Sequence, residues 1–131
     1  MRRRVANYFV AIEAATGQSA AYYTLSAASM PLVDLPADET KRLPRYPTLP
    51  AVRIGRLAVD RRFQGRGLGS ALLLNAADRT LRADAAAFAL LVDAKNHQAD
   101  GFYQHYGFRT LVSRPRTLFL PLKTAQKVFH Q

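Results

Sequence analysis

The stretch that most constrains this chain is Arg61-Arg62-Phe63-Gln64-Gly65-Arg66-Gly67-Leu68-Gly69-Ser70, a basic loop with alternate glycines, set between an apolar run and a strongly helical one. Gly65, Gly67 and Gly69 lack a Cβ, so the backbone there can take positive φ, approach a ligand closely and leave its N–H groups facing outward. A helix beginning near Leu68 would add unsatisfied amides and the positive end of its dipole to the same space. The segment reads as a pyrophosphate cradle built mainly from backbone. It is not a Walker A loop, which needs Lys then Ser or Thr after its last glycine where this chain has Ser70-Ala71. Nor is it G-x-G-x-x-G, because its glycines fall as G-x-G-x-G. A tight connection with no ligand is the plainer alternative for such a turn.

The flanks supply a strand, loop and helix in order. Val52 to Asp60 is rich in apolar and β-branched residues, and Gly55 inside it marks a bulge or a close backbone approach. Leu68, Leu72, Ala76 and Leu81 recur at near-helical spacing with Asn75, Asp78, Arg79 and Arg82 between them, which predicts an amphipathic helix. A second strand over Ala87 to Val92 completes a βαβ unit with parallel strands. Before this unit, Asn7 to Glu13 and Ala20 to Ala28 predict a hairpin turning at Thr16-Gly17-Gln18. Pro31, Pro36, Pro44, Pro47 and Pro50 then predict a long irregular loop, apart from a short turn around Asp38 to Lys41. Lying directly before the strand of the glycine loop, it is placed where it could form one wall of the acceptor cleft.

The run from Asp93 to Phe108 carries Asn96 after the second strand, then a short helix, then Gly107 where a C′ glycine ends one. Ala99, Phe102, Tyr103 and Tyr106 fall at i, i+3, i+4 and i+7, a spacing that describes a buried helix face as readily as a site.

Gln64-Gly65-Arg66-Gly67-Leu68-Gly69 fits Q-x-x-G-x-G and resembles the coenzyme A signature of the GNAT superfamily of N-acetyltransferases. The second run resembles the GNAT motif in which an Asn ends a strand, a helix carries A-x-x-F-Y and a G-F pair enters the next strand. With Ala21 to Ser29, Arg42 to Pro50, Ile54 to Asp60 and Leu118 to Leu122 added, the chain from Tyr8 to Leu122 is similar to the GNAT toxins of bacterial toxin–antitoxin modules. The resemblance implies one α+β domain over residues 1–131 with the GNAT acyl-CoA N-acyltransferase fold. That fold is a mixed, mostly antiparallel sheet, splayed at the coenzyme strand and flanked by helices. It further implies acetyl-CoA as co-substrate, no metal, and transfer of acetyl to the α-amine of aminoacyl-tRNA. Such a toxin blocks translation and is restrained by a ribbon-helix-helix antitoxin. A small-molecule or protein N-acetyltransferase is the alternative within the class. Another is an inactive module that binds RNA or an antitoxin, since family members carry a strand and helix before the hairpin and this chain is expected to be a shortened form. A homodimer is compatible with all three.

Charge and composition bear on partners. The net charge is +10 with a pI near 10.7, and most of the cations are arginine, which suits a polyanionic partner. Arg2-Arg3-Arg4, Lys41-Arg42-Arg45 and Arg109-Arg114-Arg116 are the expected contacts to tRNA phosphates. No apolar run is long enough to span a membrane and no secretory core follows the N-terminal arginines, which leads to the expectation of a cytoplasmic protein. The chain has no cysteine, so disulfides, thiolate metal sites and a cysteinyl acyl intermediate are excluded. His97, His105 and His130 show no ligand spacing.

Carried onto these residues, the resemblance implies that pantetheine pairs with the backbone of Leu57, Ala58 and Val59, with an amide near Val59 as oxyanion donor. The pyrophosphate falls to Arg62, Gln64, Gly65, Arg66, Gly67, Leu68, Gly69 and Ser70. Asn96 contacts the coenzyme, caps the helix, or does both. Tyr103 is the general acid for the leaving thiolate, with Tyr106 as the alternative and Phe102 as a core anchor.

Overall fold

A computed structural model describes residues 7–41, 43, 47–83 and 87–129. Six strands form one sheet: β1 (Asn7–Ile12), β2 (Ser19–Pro31), β3 (Thr48–Val59), β4 (Ala89–Asp93), β5 (Arg109–Leu111) and β6 (Arg114–Pro121), in spatial order β1-β2-β3-β4-β6-β5. The helices are α1 (Ala37–Thr40), α2 (Leu68–Ala83), α3 (His97–His105) and α4 (Leu122–Phe129). Among the described strands only β3 and β4 pair in parallel, joined by the crossover through α2, so the sheet is mixed and mostly antiparallel.

Strand alternation divides the core in two. Tyr23, Leu25, Ile54, Leu90, Val92, Leu118 and Leu120 face one side and bury against Leu72, Leu73, Ala76 and Ala77 of α2. Met30, Leu49, Ala51, Ala89, Leu91 and Phe119 face the other and bury with Leu35 and Leu111. The α2 helix therefore closes one face, and the segment after β2 closes much of the other.

That segment departs from the sequence expectation. β2 runs on to Pro31 and β3 starts at Thr48, so Ser29 pairs with Pro50, Met30 with Leu49 and Pro31 with Thr48. Pro31 and Pro50 stand near strand ends, where a missing N–H is tolerated, and the Pro50 carbonyl still accepts from Phe88 at 2.8 Å. The described part of the connection between these strands lies at the β5 edge of the sheet. It is pinned to the β5–β6 hairpin: Arg109 pairs with Asp38 at 2.9 Å and Glu39 at 3.0 Å. Buried Asp34 accepts from Ser113 and lies 3.7 Å from Arg114. Two of the arginines expected at tRNA phosphates, Arg109 and Arg114, thus have carboxylate partners. Arg2, Arg3, Arg4, Arg42 and Arg45 lie outside the described residues. No helix among the described residues is long and apolar enough to cross a membrane.

Candidate active site

The cleft begins as a local defect in β3. Tyr23 pairs with Leu57 and Leu25 with Ile54, so Thr24 alone stands opposite both Gly55 and Arg56. Thr24 Oγ1 accepts from the Arg56 amide at 3.1 Å and occupies the space a Cβ on Gly55 would need, 2.6 Å from it. This is the bulge anticipated at Gly55, and it bends the strand. Pairing of β3 with β4 stops at Ile54–Val92, directly before the bulge. Leu57 to Val59 follow β2 away from β4, and the sheet splays.

The direction of the backbone in that stretch follows from the ladder. Asp60 N–H donates to Ala20 at 2.8 Å, so by alternation Ala58 also faces β2, whereas Leu57 and Val59 face the open edge. The Val59 carbonyl accepts from Gln64 Nε2 at 3.2 Å, in agreement. Leu57 and Val59 offer backbone groups to the cleft. Ala58 offers only its methyl group, because its backbone pairs with Tyr22.

The glycine loop leaves this edge through a short turn anchored by buried Phe63. Gly65 and Gly67 have φ of +81° and +77°, and a Cβ on either would meet nothing within 4 Å. Glycine is required there for backbone angle, and the space before the loop is open. Gly69 differs from the expectation: it lies inside the first turn of α2 without positive φ, 3.7 Å from the Phe102 ring by its ideal Cβ. Helix geometry leaves the amides of Leu68, Gly69 and Ser70 without an intrahelical acceptor, the first such bond running from Ala71 to Gly67 at 3.1 Å. These amides and the helix dipole suit a pyrophosphate.

The side chains expected at the phosphates already have protein partners. Arg62 donates to Asp60 from Nε at 2.9 Å and to Gln18 at 3.0 Å, and its hydrogen bond holds the Asp60 carboxyl below the usual carboxylate range. Arg66 lies 3.6 Å from Glu13 and over the Phe63 ring. Both tie the loop to the β1–β2 hairpin while keeping exposed guanidinium groups beside it.

Across the splay stands α3. Asn96 is its N-cap, extended in backbone and accepting from Ala99 N–H at 2.8 Å, which leaves its amide NH₂ for a ligand. Gly107, at φ +95°, ends the helix as the sequence indicated. Tyr103 is both packed and open to the cleft. Its ring packs on Phe102 and Phe108 in the core, while its edge lines the cleft. Burial pushes its phenol above the ordinary tyrosine value. Tyr106 instead donates to Ser70 Oγ, linking α3 to the first turn of α2.

Two cavities meet at Tyr103. One, of about 270 Å³, lies toward α2 and is lined by Gly69, Asn96 and Phe102. The other, of about 300 Å³, reaches the opposite face of the sheet, where Tyr22, Arg56, Ala58 and Asp93 line it. Leu57, Lys95, Ala99 and Tyr103 belong to both. Sequence reasoning assigned no role to Thr24, Tyr22, Asp93 or Lys95. Asp93 and Lys95 carry the signal of polar residues at the C-terminal end of a buried strand. Thr24 carries none, because its partner Gly55 is distant in the chain.

A family model for the acetyltransferase (GNAT) domain matches residues 42–118. A tRNA-acetylating toxin of Mycobacterium tuberculosis is 37% identical over 112 residues, covering 84% of this chain and 66% of the relative. This chain therefore spans just under two thirds of that relative's length. The solved structure of AtaT complexed with acetyl-methionyl-tRNAfMet superposes with a TM-score of 0.87 at 31% identity, covering 95% of this chain and 76% of that one. An AtaT variant bound to acetyl-CoA and the C-terminus of the antitoxin AtaR gives 0.66 at 31%, covering 87% and 67%.

Proposed function

The chain belongs to the GNAT acetyltransferase family, and from that premise we propose that it transfers acetyl from acetyl-CoA to the α-amine of aminoacyl-tRNA as the toxin of a toxin–antitoxin pair. The observation that carries this reading is the pair of cavities on opposite faces of the splayed strands, meeting at Leu57 and Tyr103. Such an arrangement lets a thioester arrive from one side and an amine from the other, with neither displacing the other.

The coenzyme occupies the α2 side. Its pyrophosphate is held by the amides between Gly65 and Ser70, with Arg62 and Arg66 adding charge at the rim. Pantetheine pairs with the exposed edge of Leu57 and Val59, and the Val59 amide faces the developing oxyanion. Asn96 supplies a donor from its free NH₂ group. As the neutral amine attacks, its nitrogen bonds to the acetyl carbon, the C–S bond breaks, and Tyr103 gives its proton to the departing sulfur. A phenol raised by burial stays protonated at neutral pH and suits that task. The nitrogen sheds one of its two protons to solvent, and solvent returns a proton to the Tyr103 phenolate.

The tRNA reading is supported by the net charge of +10 and by relatives whose names record tRNA acetylation or an acetylated tRNA. The antitoxin is supported by the AtaR complex, with the ribbon-helix-helix type and a homodimer as further expectations. A tRNA substrate makes the cytoplasm the place of action. The test is transfer of labelled acetyl from acetyl-CoA to purified aminoacyl-tRNA, with uncharged tRNA, polyamines and peptides alongside. Acetylation of the peptides alone would replace this reading by a protein N-acetyltransferase.

A further inference from the structure

The cavity facing away from α2 contains one carboxylate among its described lining residues, Asp93 at the end of β4. Its position is fixed from two neighbouring strands. Arg53 of β3 forms an ion pair with Oδ2, and Thr117 of β6, itself buried, donates to Oδ1 at 2.7 Å. An ionised carboxylate has about four lone-pair sites, so two remain after those bonds. The Asp93 side chain is still 58% exposed, toward the cavity. The other charged groups lining that space, Arg56 and Lys95, are cations and can accept nothing from an amine.

A primary amine reaches this site at neutral pH largely as an ammonium, with three donors and a positive charge. Resting on the reading above, we infer that Asp93 is the acceptor-binding residue that holds the substrate's amino group in the outer cavity. Arg53 and Thr117 position it. With Arg53 and Thr117 already donating to its two oxygens, Asp93 serves as a hydrogen-bond acceptor for the amine. It orients the nitrogen, and the proton shed before attack passes to solvent. A carboxylate that recognises an amine would favour an aminoacyl ester over an otherwise identical ester whose amine is replaced by hydroxyl.

The full chain carrying Asp93→Asn tests this, with acceptor kinetics for aminoacyl-tRNA and for an amino-acid methyl ester, and an acetyl-CoA titration on the same preparation. The expected result is an acceptor KM raised about tenfold or more, the scale of losing a charge-assisted hydrogen bond, with kcat changed less and acetyl-CoA affinity kept. Inhibition by hydroxyacyl-tRNA should then approach that by aminoacyl-tRNA. Thr117→Val, which keeps the carboxylate but frees it, should raise KM by a smaller factor. An unchanged KM, or a loss confined to kcat, would overturn the assignment. Loss of acetyl-CoA affinity in Asp93→Asn together with normal acceptor kinetics in Thr117→Val would also overturn it. If the unmodified protein acetylates the ester but not aminoacyl-tRNA, the tRNA reading fails while Asp93 is still judged on the ester. Transfer to neither overturns both.

Discussion

Thr24 and Gly55 approach so closely across the β2–β3 ladder that a methyl group on Gly55 would lie 2.6 Å from the Thr24 hydroxyl oxygen, which also accepts the Arg56 amide. Gly55 has no positive φ, so the constraint is space alone. Thr24 is buried and β-branched, which leaves its hydroxyl little room to turn aside. The single contact explains why β3 bulges there and why it parts from β4 one residue after Ile54.

Gly55→Ala should therefore destabilise the fold by about 1–3 kcal/mol, the range for overpacking a tight site. Thr24→Ala should also destabilise it, by leaving the Arg56 amide without its acceptor. The double variant should lose less than the sum of the two, because the methyl group then has room. Urea denaturation of the four proteins measures this, and additive losses would refute the steric account.

Gly69 offers a cleaner probe of the coenzyme cavity than Gly67. A side chain at Gly67 would be strained by φ +77°, so any loss of binding would mix with backbone distortion. At Gly69 the backbone is helical and an added methyl group would make ordinary contact with Phe102. Gly69→Ala should keep or slightly raise Tm, since alanine is favoured over glycine in a helix by up to about 1 kcal/mol. It should weaken acetyl-CoA binding by roughly tenfold, or 1.4 kcal/mol, as measured by calorimetry. Unchanged affinity would remove the coenzyme from this cavity.

The parts legible in the sequence are those set by local chemistry. Gly65, Gly67 and Gly107 take positive φ where glycine spacing indicated turns, and Asn96 caps the helix that follows it. The parallel pairing of β3 and β4 follows from the helix between them. The proline-rich stretch misled because pairing with distant residues decided it: Pro50 and Pro31 sit in strands whose ladder resumes beyond the bulge and runs from Leu25–Ile54 to Pro31–Thr48. The α4 helix was overlooked, although buried Leu122 and Ala125 stand three apart. At the site, the weight given to Arg62 and Arg66 missed their links to Asp60, Gln18 and Glu13, which no local pattern reveals.

Tyr103 and Tyr106 should separate by function. Tyr103→Phe should keep acetyl-CoA affinity and lower kcat by roughly two to four orders of magnitude, the scale of losing an acid. Tyr106→Phe breaks the bond to Ser70 and should weaken coenzyme binding with a smaller effect on kcat. The reverse ranking would move the acid to Tyr106.

The pH profile provides an independent check on the acid. Burial raises the Tyr103 phenol, so the protonated acid persists as pH rises and is lost only above its folded pKa, beyond the ordinary value of 10.0. The unfolded chain ionises first, so the residue's contribution to stability is complete below pH 10 and declines above it. An α-amine, with an ordinary pKa of about 7.7–8.0, must instead lose a proton before attack. Hence kcat/KM should rise through about pH 8 and remain level to about pH 10. A falling limb below pH 9 that vanishes in Tyr103→Phe would contradict the raised phenol.

The arginines divide by partner, and the division predicts which ones serve tRNA. Arg109 holds Asp38 and Glu39 across to the β5–β6 hairpin, so Arg109→Glu should lower Tm through like-charge repulsion within the fold. Arg56 lines the outer cavity and has no ion pair among the described residues; nor does the exposed Arg116 side chain, which lies 3.5 Å from His97. If these two meet phosphates, Arg56→Glu and Arg116→Glu should leave Tm and acetyl-CoA affinity unchanged while weakening tRNA binding. Each lost contact should also reduce the slope of log affinity against log salt by roughly 0.7–0.9. Filter binding of tRNA at several salt concentrations, with melting curves on the same proteins, separates the two groups. A salt slope that neither reversal alters would assign the tRNA surface to other cations, and a fall in Tm for Arg56→Glu would return that residue to the structural group.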